Sequence, residues 1–149
     1  MEEQKGKIMG LDYGVKRSGL AVSDLGQRIA FPLKYLATIE LIPFLRGYLA
    51  QNRVLAMVVG KPLLLNGSAG AMMERVEAFV QELGLLFPKL AFHLADERFT
   101  SKLAQQALLS GGYGRKARQE KGRLDLMSAT LILRTYLEGS VKVKEQAGL

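Results

Sequence analysis

The chain has no cysteine and a single histidine, His93. Without cysteine it forms no disulfide and offers no thiolate to a metal. One imidazole and no thiol also argue against a zinc site. No stretch approaches the roughly 18 consecutive apolar residues that a membrane span requires. Met1 to Lys7 are charged and no apolar run follows them, which argues against a secretory leader. These absences fit a cytoplasmic protein with no membrane partner. There is no internal repeat, no low-complexity segment and no Gly-x4-Gly-Lys-Ser/Thr spacing of a phosphate-binding P-loop.

What is present bounds the answer further. A length of 149 residues suits one domain with one sizeable core. Lysine and arginine together number 21 against 14 acidic residues, a formal charge of +7. Such a balance favours a polyanionic partner, most often nucleic acid. A solvated basic surface would give the same sum.

Periodicity supplies the order of elements. Lys7 to Tyr13 alternates as a strand, with Ile8, Gly10 and Asp12 on one face and Met9 and Leu11 on the other. Gly14 to Arg17 reads as a hairpin turn, and Ser18 to Asp24 as the returning strand. Asp24-Leu25-Gly26-Gln27 is a second turn. Ile29 to Leu36 forms a third strand, which Pro32 confines to an edge or a bulge. Ile42, Leu45 and Leu49 recur at helical spacing over Ile39 to Gln51, with Pro43 in the first turn. Val54 to Val59 is an apolar run suited to a buried strand. A helix over Gly70 to Leu83, a strand over Leu90 to Ala95 and a short helix over Phe99 to Leu109 follow. Gly111 to Arg123 reads as a basic loop, and Leu124 to Glu138 as the last helix, ended by Gly139. A meander followed by alternating helix and strand predicts an α/β fold, a mixed five-stranded sheet with helices on its faces. It occupies a single domain, residues 1–139, with a short polar tail over 140–149.

Three carboxylates stand out against this frame. Asp12 ends the first strand, where a charge is costly unless a cation meets it. It is either a metal ligand or a bond acceptor within the following turn. The adjacent Gly10 would let a ligand or a backbone approach closely. Glu97, in Asp96-Glu97-Arg98-Phe99-Thr100-Ser101, lies between a strand and a helix and either joins a site or assists helix entry. Neighbouring strand residues face opposite ways, so Asp96 and Glu97 cannot both enter one site without a bend. Asp125 shares a helical face with Ala129, Ile132 and Tyr136; it is either a ligand or a first-turn acidic residue favoured by the helix dipole. Together the three suit a carboxylate cluster holding Mg2+ or Mn2+, as in sites where two ions about 3.5–4 Å apart hydrolyse phosphodiesters.

Basic residues supply candidate phosphate contacts. Lys16 and Arg17 follow Asp12; Arg115, Lys116, Arg118, Lys121 and Arg123 precede Asp125; Lys61 and Arg98 lie near strand ends. Such contacts would make nucleic-acid binding salt-dependent. Tyr13 and Tyr113 are candidates for stacking on bases.

Four segments, in this order, resemble the YqgF (RuvX) family: Gly10-Leu11-Asp12-Tyr13-Gly14-Val15-Lys16-Arg17-Ser18-Gly19-Leu20-Ala21; Val58-Val59-Gly60-Lys61-Pro62 through Asn66-Gly67-Ser68; Asp96 through Ser101; and Leu124-Asp125-Leu126-Met127-Ser128-Ala129. The resemblance implies an RNase H-like fold and a metal-dependent endonuclease of the bacterial cytoplasm, acting at the 5′ end of pre-16S rRNA, with ribosomal particles as partners. As an alternative it implies a Holliday junction resolvase acting on branched DNA. Its acidic site carries over onto Asp12, Glu97 and Asp125. Ser18, Lys61 and Ser128 depart from the family's usual aliphatic residue, leucine and alanine. The quaternary state is left open between monomer and homodimer. Two other classes compete. A non-catalytic nucleic-acid-binding module would bind without cutting. Asp12-x-Gly14 followed by Gly19 also resembles the first phosphate turn of sugar kinases and actin-like ATPases, which need two such domains.

Overall fold

A computed structural model describes residues 6–62, 70–96 and 121–147, with side chains of the last segment described over 126–139. Five strands form one sheet in the order β3-β2-β1-β4-β5. They are β1 (Lys7–Asp12), β2 (Arg17–Ser23), β3 (Ala30–Ala37), β4 (Val54–Lys61) and β5 (Ala91–Asp96). β1, β2 and β3 pair antiparallel as a meander, while β4 and β5 run parallel to β1. The C-terminal ends of β1, β4 and β5 therefore lie at the same edge of the sheet.

The α-helices among the described residues are α1 (Leu41–Gln51), α2 (Ala71–Leu86) and α3 (Lys121–Ala147). Strand alternation assigns them to faces. Met9, Leu11, Leu20, Val22, Met57 and Val59 pack with Leu41 and Leu45 of α1 and Val76 and Leu83 of α2. Ile8, Ala21, Ala56 and Val58 point the other way and pack with Ala129, Ile132, Leu133 and Leu137 of α3. Residues one apart on a strand thus serve different cores, as the two-residue period requires. Burying each large side chain of this kind contributes about 1.5–3 kcal/mol before conformational entropy is charged against it.

Most predicted elements appear within a residue or two. Pro32 lies both on an edge strand and at an irregularity: Leu20 pairs with Lys34 and Ala21 with Pro32, so Leu33 has no opposite number on β2. Pro43 is the third residue of α1. Two boundaries of α3 need correction. The helix begins at Lys121, inside the stretch expected to be loop, because Lys121, Gly122 and Arg123 carry no apolar period yet tolerate helical geometry. It also runs through Gly139 to Ala147. Glycine terminates a helix only where the chain turns left-handed, and nothing in the sequence forces that turn here. The expected helix at 99–109 and most of the basic loop lie outside the described residues.

Candidate active site

Asp12 is the last residue of β1, half-buried, and paired across the ladder with Gly19. It shares a strand face with Ile8, which packs under α3. Between them is Gly10. A Cβ built at Gly10 would lie 2.8 Å from the Ala129 carbonyl oxygen and 2.9 Å from the Leu133 Cβ. The close approach that a glycine permits is therefore used by a helix. The backbone of α3 rests directly on β1, two residues before Asp12.

That contact ties the helix that bears Asp125 to the strand that ends in Asp12. Asp125 is one helical turn before Ala129, about 6 Å along the axis. Asp12 is two strand residues past Gly10, about 7 Å along β1. Asp125 also lies beyond the first turn of α3, which contains no acidic residue. A favourable helix-dipole position therefore does not account for it, since that effect fades after the first turn.

The third position is approached along β5. The His93 and Tyr136 rings stand 5.3 Å apart, which puts His93 on the α3 face. Ala95 joins the same face, whereas Phe92 packs with the α1 and α2 core. Alternation then sends Asp96 to the α1 and α2 side, opposite Asp12. Lys61 is the register neighbour of Asp96 and two residues past Val59, so it lies on that opposite side as well. Glu97, Arg98, Tyr113, Arg115, Lys116 and Arg118 lie outside the described residues; Lys121 and Arg123 stand in the first turn of α3. Among the described residues no three His, Asp or Glu side chains come together as a metal-binding group.

The turn after Asp12 is tightly built. Gly14 N–H donates to Ser18 Oγ at 3.3 Å, and Thr38 Oγ1 donates to Gly14 O at 2.6 Å. The two hydroxyl oxygens are 2.7 Å apart. Thr38 N–H donates to Lys16 O at 2.9 Å. A Cβ on Gly14 would run into the Arg17 carbonyl oxygen. Lys16 emerges exposed and Arg17 half-buried. Tyr13 is half-buried against the α1 and α2 core. Its ring lies 4.7 Å from that of Phe79 on α2. Thr38 gives no sequence signal, since its partners are 20 and 24 residues away. Ser18 is visible only as a departure from an aliphatic position.

The larger of two neighbouring cavities, about 390 Å³, is lined by Leu49, Asn52, Arg53 and Val54 and by the turn from Leu86 to Leu90. It opens where β4 and β5 begin, at the far end of the sheet from Asp12. No helix among the described residues is long and apolar enough to cross a membrane.

Comparison with known proteins follows the same lines. The family model described as "RuvX: Holliday junction resolvase" matches residues 6–139. A protein of Bacteroides thetaiotaomicron named "Putative pre-16S rRNA nuclease" is 45% identical over 132 residues, covering 89% of this chain and 96% of its own. One of the same name from Flavobacterium johnsoniae is 41% identical over 131 residues, covering 88% and 95%. Among solved structures, the Fowlpox virus resolvase with Holliday junction DNA superposes with a TM-score of 0.53 at 11% identity, covering 89% of this chain and 97% of that one. The Thermus thermophilus RuvC complex with a Holliday junction gives 0.52 at 13%, covering 89% and 95%. The mixed five-stranded sheet is thus that of the RNase H-like resolvases, and the chain belongs to the RuvX family of nucleases.

Proposed function

We propose that this nuclease cuts phosphodiester bonds at a carboxylate site made by Asp12, Glu97 and Asp125, and that its substrate is the 5′ end of pre-16S rRNA. The observation that carries the site is the seat of α3 on Gly10. It ties the helix that bears Asp125 to the strand that ends in Asp12. Alternation along β5 supports Glu97 over Asp96 as the third member, because Asp96 takes the side opposite Asp12.

The donor set suits a hard divalent cation. The candidates are carboxylate oxygens, there is no cysteine, and His93 is engaged with Tyr136. Asp12, Glu97 and Asp125 would hold Mg2+ or Mn2+; bound ions of this kind supply a lowered pKa for the attacking water and charge neutralisation at the leaving oxygen. The chain's own cations do the rest. Lys16 and Arg17 reach the substrate backbone from the turn beside Asp12. Lys121 and Arg123 contribute positive charge from the first turn of α3. Arg98, Arg115, Lys116 and Arg118 extend the same basic surface, with Lys61 at the far side of the sheet edge.

The rRNA reading is supported by full-length relatives that carry that name. A second reading, resolution of Holliday junctions in branched DNA, is supported by the family description. It requires a homodimer, since two strands must be cut as a pair; the rRNA reading accepts a monomer working on ribosomal particles. A cytoplasmic location suits both. Purified protein incubated with precursor rRNA and with four-way DNA junctions, each with Mg2+ or Mn2+, separates them. Asp12→Asn is expected to lower cleavage at least ~100-fold, on the scale seen when a transition-state-stabilising group is removed. Full metal-dependent cleavage by that variant would remove Asp12 from the site. Binding of both substrates without any cleavage would instead indicate a binding module.

A further inference from the structure

We infer that Ser18 and Thr38 are positioning residues, whose hydroxyls close a hydrogen-bonded ring through the backbone of Gly14 and hold Lys16 and Arg17 in place for a phosphodiester backbone beside Asp12. The inference rests on the nucleic-acid-cleaving reading given above and concerns how this chain grips its substrate.

The direction of each bond in the ring follows from counting hydrogens. A threonine hydroxyl carries one. That of Thr38 is spent on Gly14 O, 2.6 Å away. The 2.7 Å contact between the two hydroxyls therefore runs from Ser18 to Thr38. Ser18 Oγ in turn accepts from Gly14 N–H at 3.3 Å. The circuit is Gly14 N–H to Ser18, Ser18 to Thr38, Thr38 to Gly14 O. Each hydroxyl donates once and accepts once in the same sense, an arrangement in which neighbouring bonds polarise one another. Ser18 has no solvent exposure, so water cannot replace its hydroxyl. An aliphatic residue there would leave the Gly14 N–H without this acceptor and Thr38 without its donor.

The place of the ring says what it is for. The β1–β2 ladder ends at the pair Asp12–Gly19, and the β2–β3 ladder ends at Arg17–Ala37. The strands are thus registered without it. What the ring adds, with the bond from Thr38 N–H to Lys16 O, is the shape of the segment between Asp12 and Ser18. Tyr13 fastens one side of that segment to Phe79. Its charged residues are Lys16 and Arg17, and neither side chain has a hydrogen bond or ion pair among the described residues. A turn clamped at both shoulders, with Lys16 exposed on it, Arg17 half-buried where it joins β2 and a carboxylate at its foot, is a rigid two-point support for phosphates.

The test uses Thr38→Val, which keeps the shape and removes the hydroxyl, with Thr38→Ser as the conservative variant and Lys16→Ala/Arg17→Ala as the reference. Two quantities are read without divalent metal. One is hydrogen exchange at the Gly14 amide. The other is the salt dependence of binding to a fluorescein-labelled single-stranded RNA and to a labelled four-way DNA junction. Thr38→Val is expected to speed Gly14 exchange and to lower the log–log salt slope by about 0.7–0.9 for each phosphate that is no longer neutralised. Thr38→Ser should behave as wild type. Added to the Lys16→Ala/Arg17→Ala protein, Thr38→Val should change binding no further. An unchanged slope despite faster exchange would overturn the inference, as would an equal loss in both backgrounds. Wild-type binding by Lys16→Ala/Arg17→Ala would overturn it too. Wild-type cleavage is scored separately, so a failed ring leaves the nuclease reading standing; a wild-type protein that binds neither probe yet cleaves with metal overturns the inference alone.

Discussion

The two faces of the sheet solve different problems. Toward α1 and α2 the strands present Met9, Leu11, Leu20, Met57 and Val59, all essentially without solvent exposure, and the helices answer with Leu41, Leu45 and Leu83. Toward α3 they present Gly10, Ala21 and Ala56 beside Ile8 and Val58, and the helix answers with Ala129 at the closest point. Large side chains bury much apolar area and supply stability. Small ones supply less, but they bring two backbones together. The first face holds the protein folded. The second holds one carboxylate-bearing element at a set distance from another.

This contrast is open to attack from several sides. The largest loss of stability is expected from the first face. Leu45→Ala should cost about 2–5 kcal/mol in denaturant unfolding, through lost transfer energy and a residual cavity. Activity per folded molecule should remain near wild type, because α1 packs on the face of the sheet opposite Asp12. Gly10→Ala is the complementary change. The added methyl must displace α3, which should cost about 1–3 kcal/mol as overpacking does. Here cleavage per folded molecule should fall well beyond the folded fraction. A Gly10→Ala protein that is less stable but fully active would erase the distinction between the faces.

The smallest effect is expected far from both. Asp24 caps the β2–β3 turn, with Oδ1 accepting from Arg28 N–H at 2.8 Å and Ile29 N–H at 2.9 Å. These bonds hold its carboxyl below the ordinary carboxylate value of 3.8, the Ile29 bond contributing most. Because the folded value is the lower one, the stabilisation is complete above the ordinary value and disappears as pH falls through the lowered one. Asp24→Asn should therefore be slightly less stable than wild type at neutral pH, with the gap closing in acid. Melting curves across that range provide the check, and cleavage should not change.

Much of this is written in the sequence, and the exceptions share a cause. Alternation in Lys7–Asp12 and the apolar run of Val54–Val59 mark strands because burial is a local, periodic requirement. Pro32 marks the edge because a missing N–H has few tolerable places. The start of α3 escapes a reading by pattern because Lys121, Gly122 and Arg123 carry no apolar period. Asp12 is visible as a charge at the end of a core strand. That Gly10 receives a helix rather than a ligand is not, since Ala129 and Leu133 are more than a hundred residues away. The side taken by Lys61 becomes clear only once Val59 is seen to face α1 and α2. Thr38 is silent for the same reason: a hydroxyl has no periodicity, and its partners are set by how β3 folds back. The roles proposed for Glu97 and Asp125 rest on resemblance, supported by the alternation of β5 and the seat of α3.

The irregular edge of the sheet bears on assembly. β3 is the outermost strand beside β2, yet it carries a proline and a break in its pleat at Leu33. A proline and an interrupted spacing on an edge strand are features that discourage sheet-to-sheet growth. Two copies of this chain therefore gain little by extending the sheet through β3. If junction DNA is the substrate, the pairing of subunits that coordinated cutting demands has to be sought on another surface, and a partner that joins by strand addition is turned away at this border.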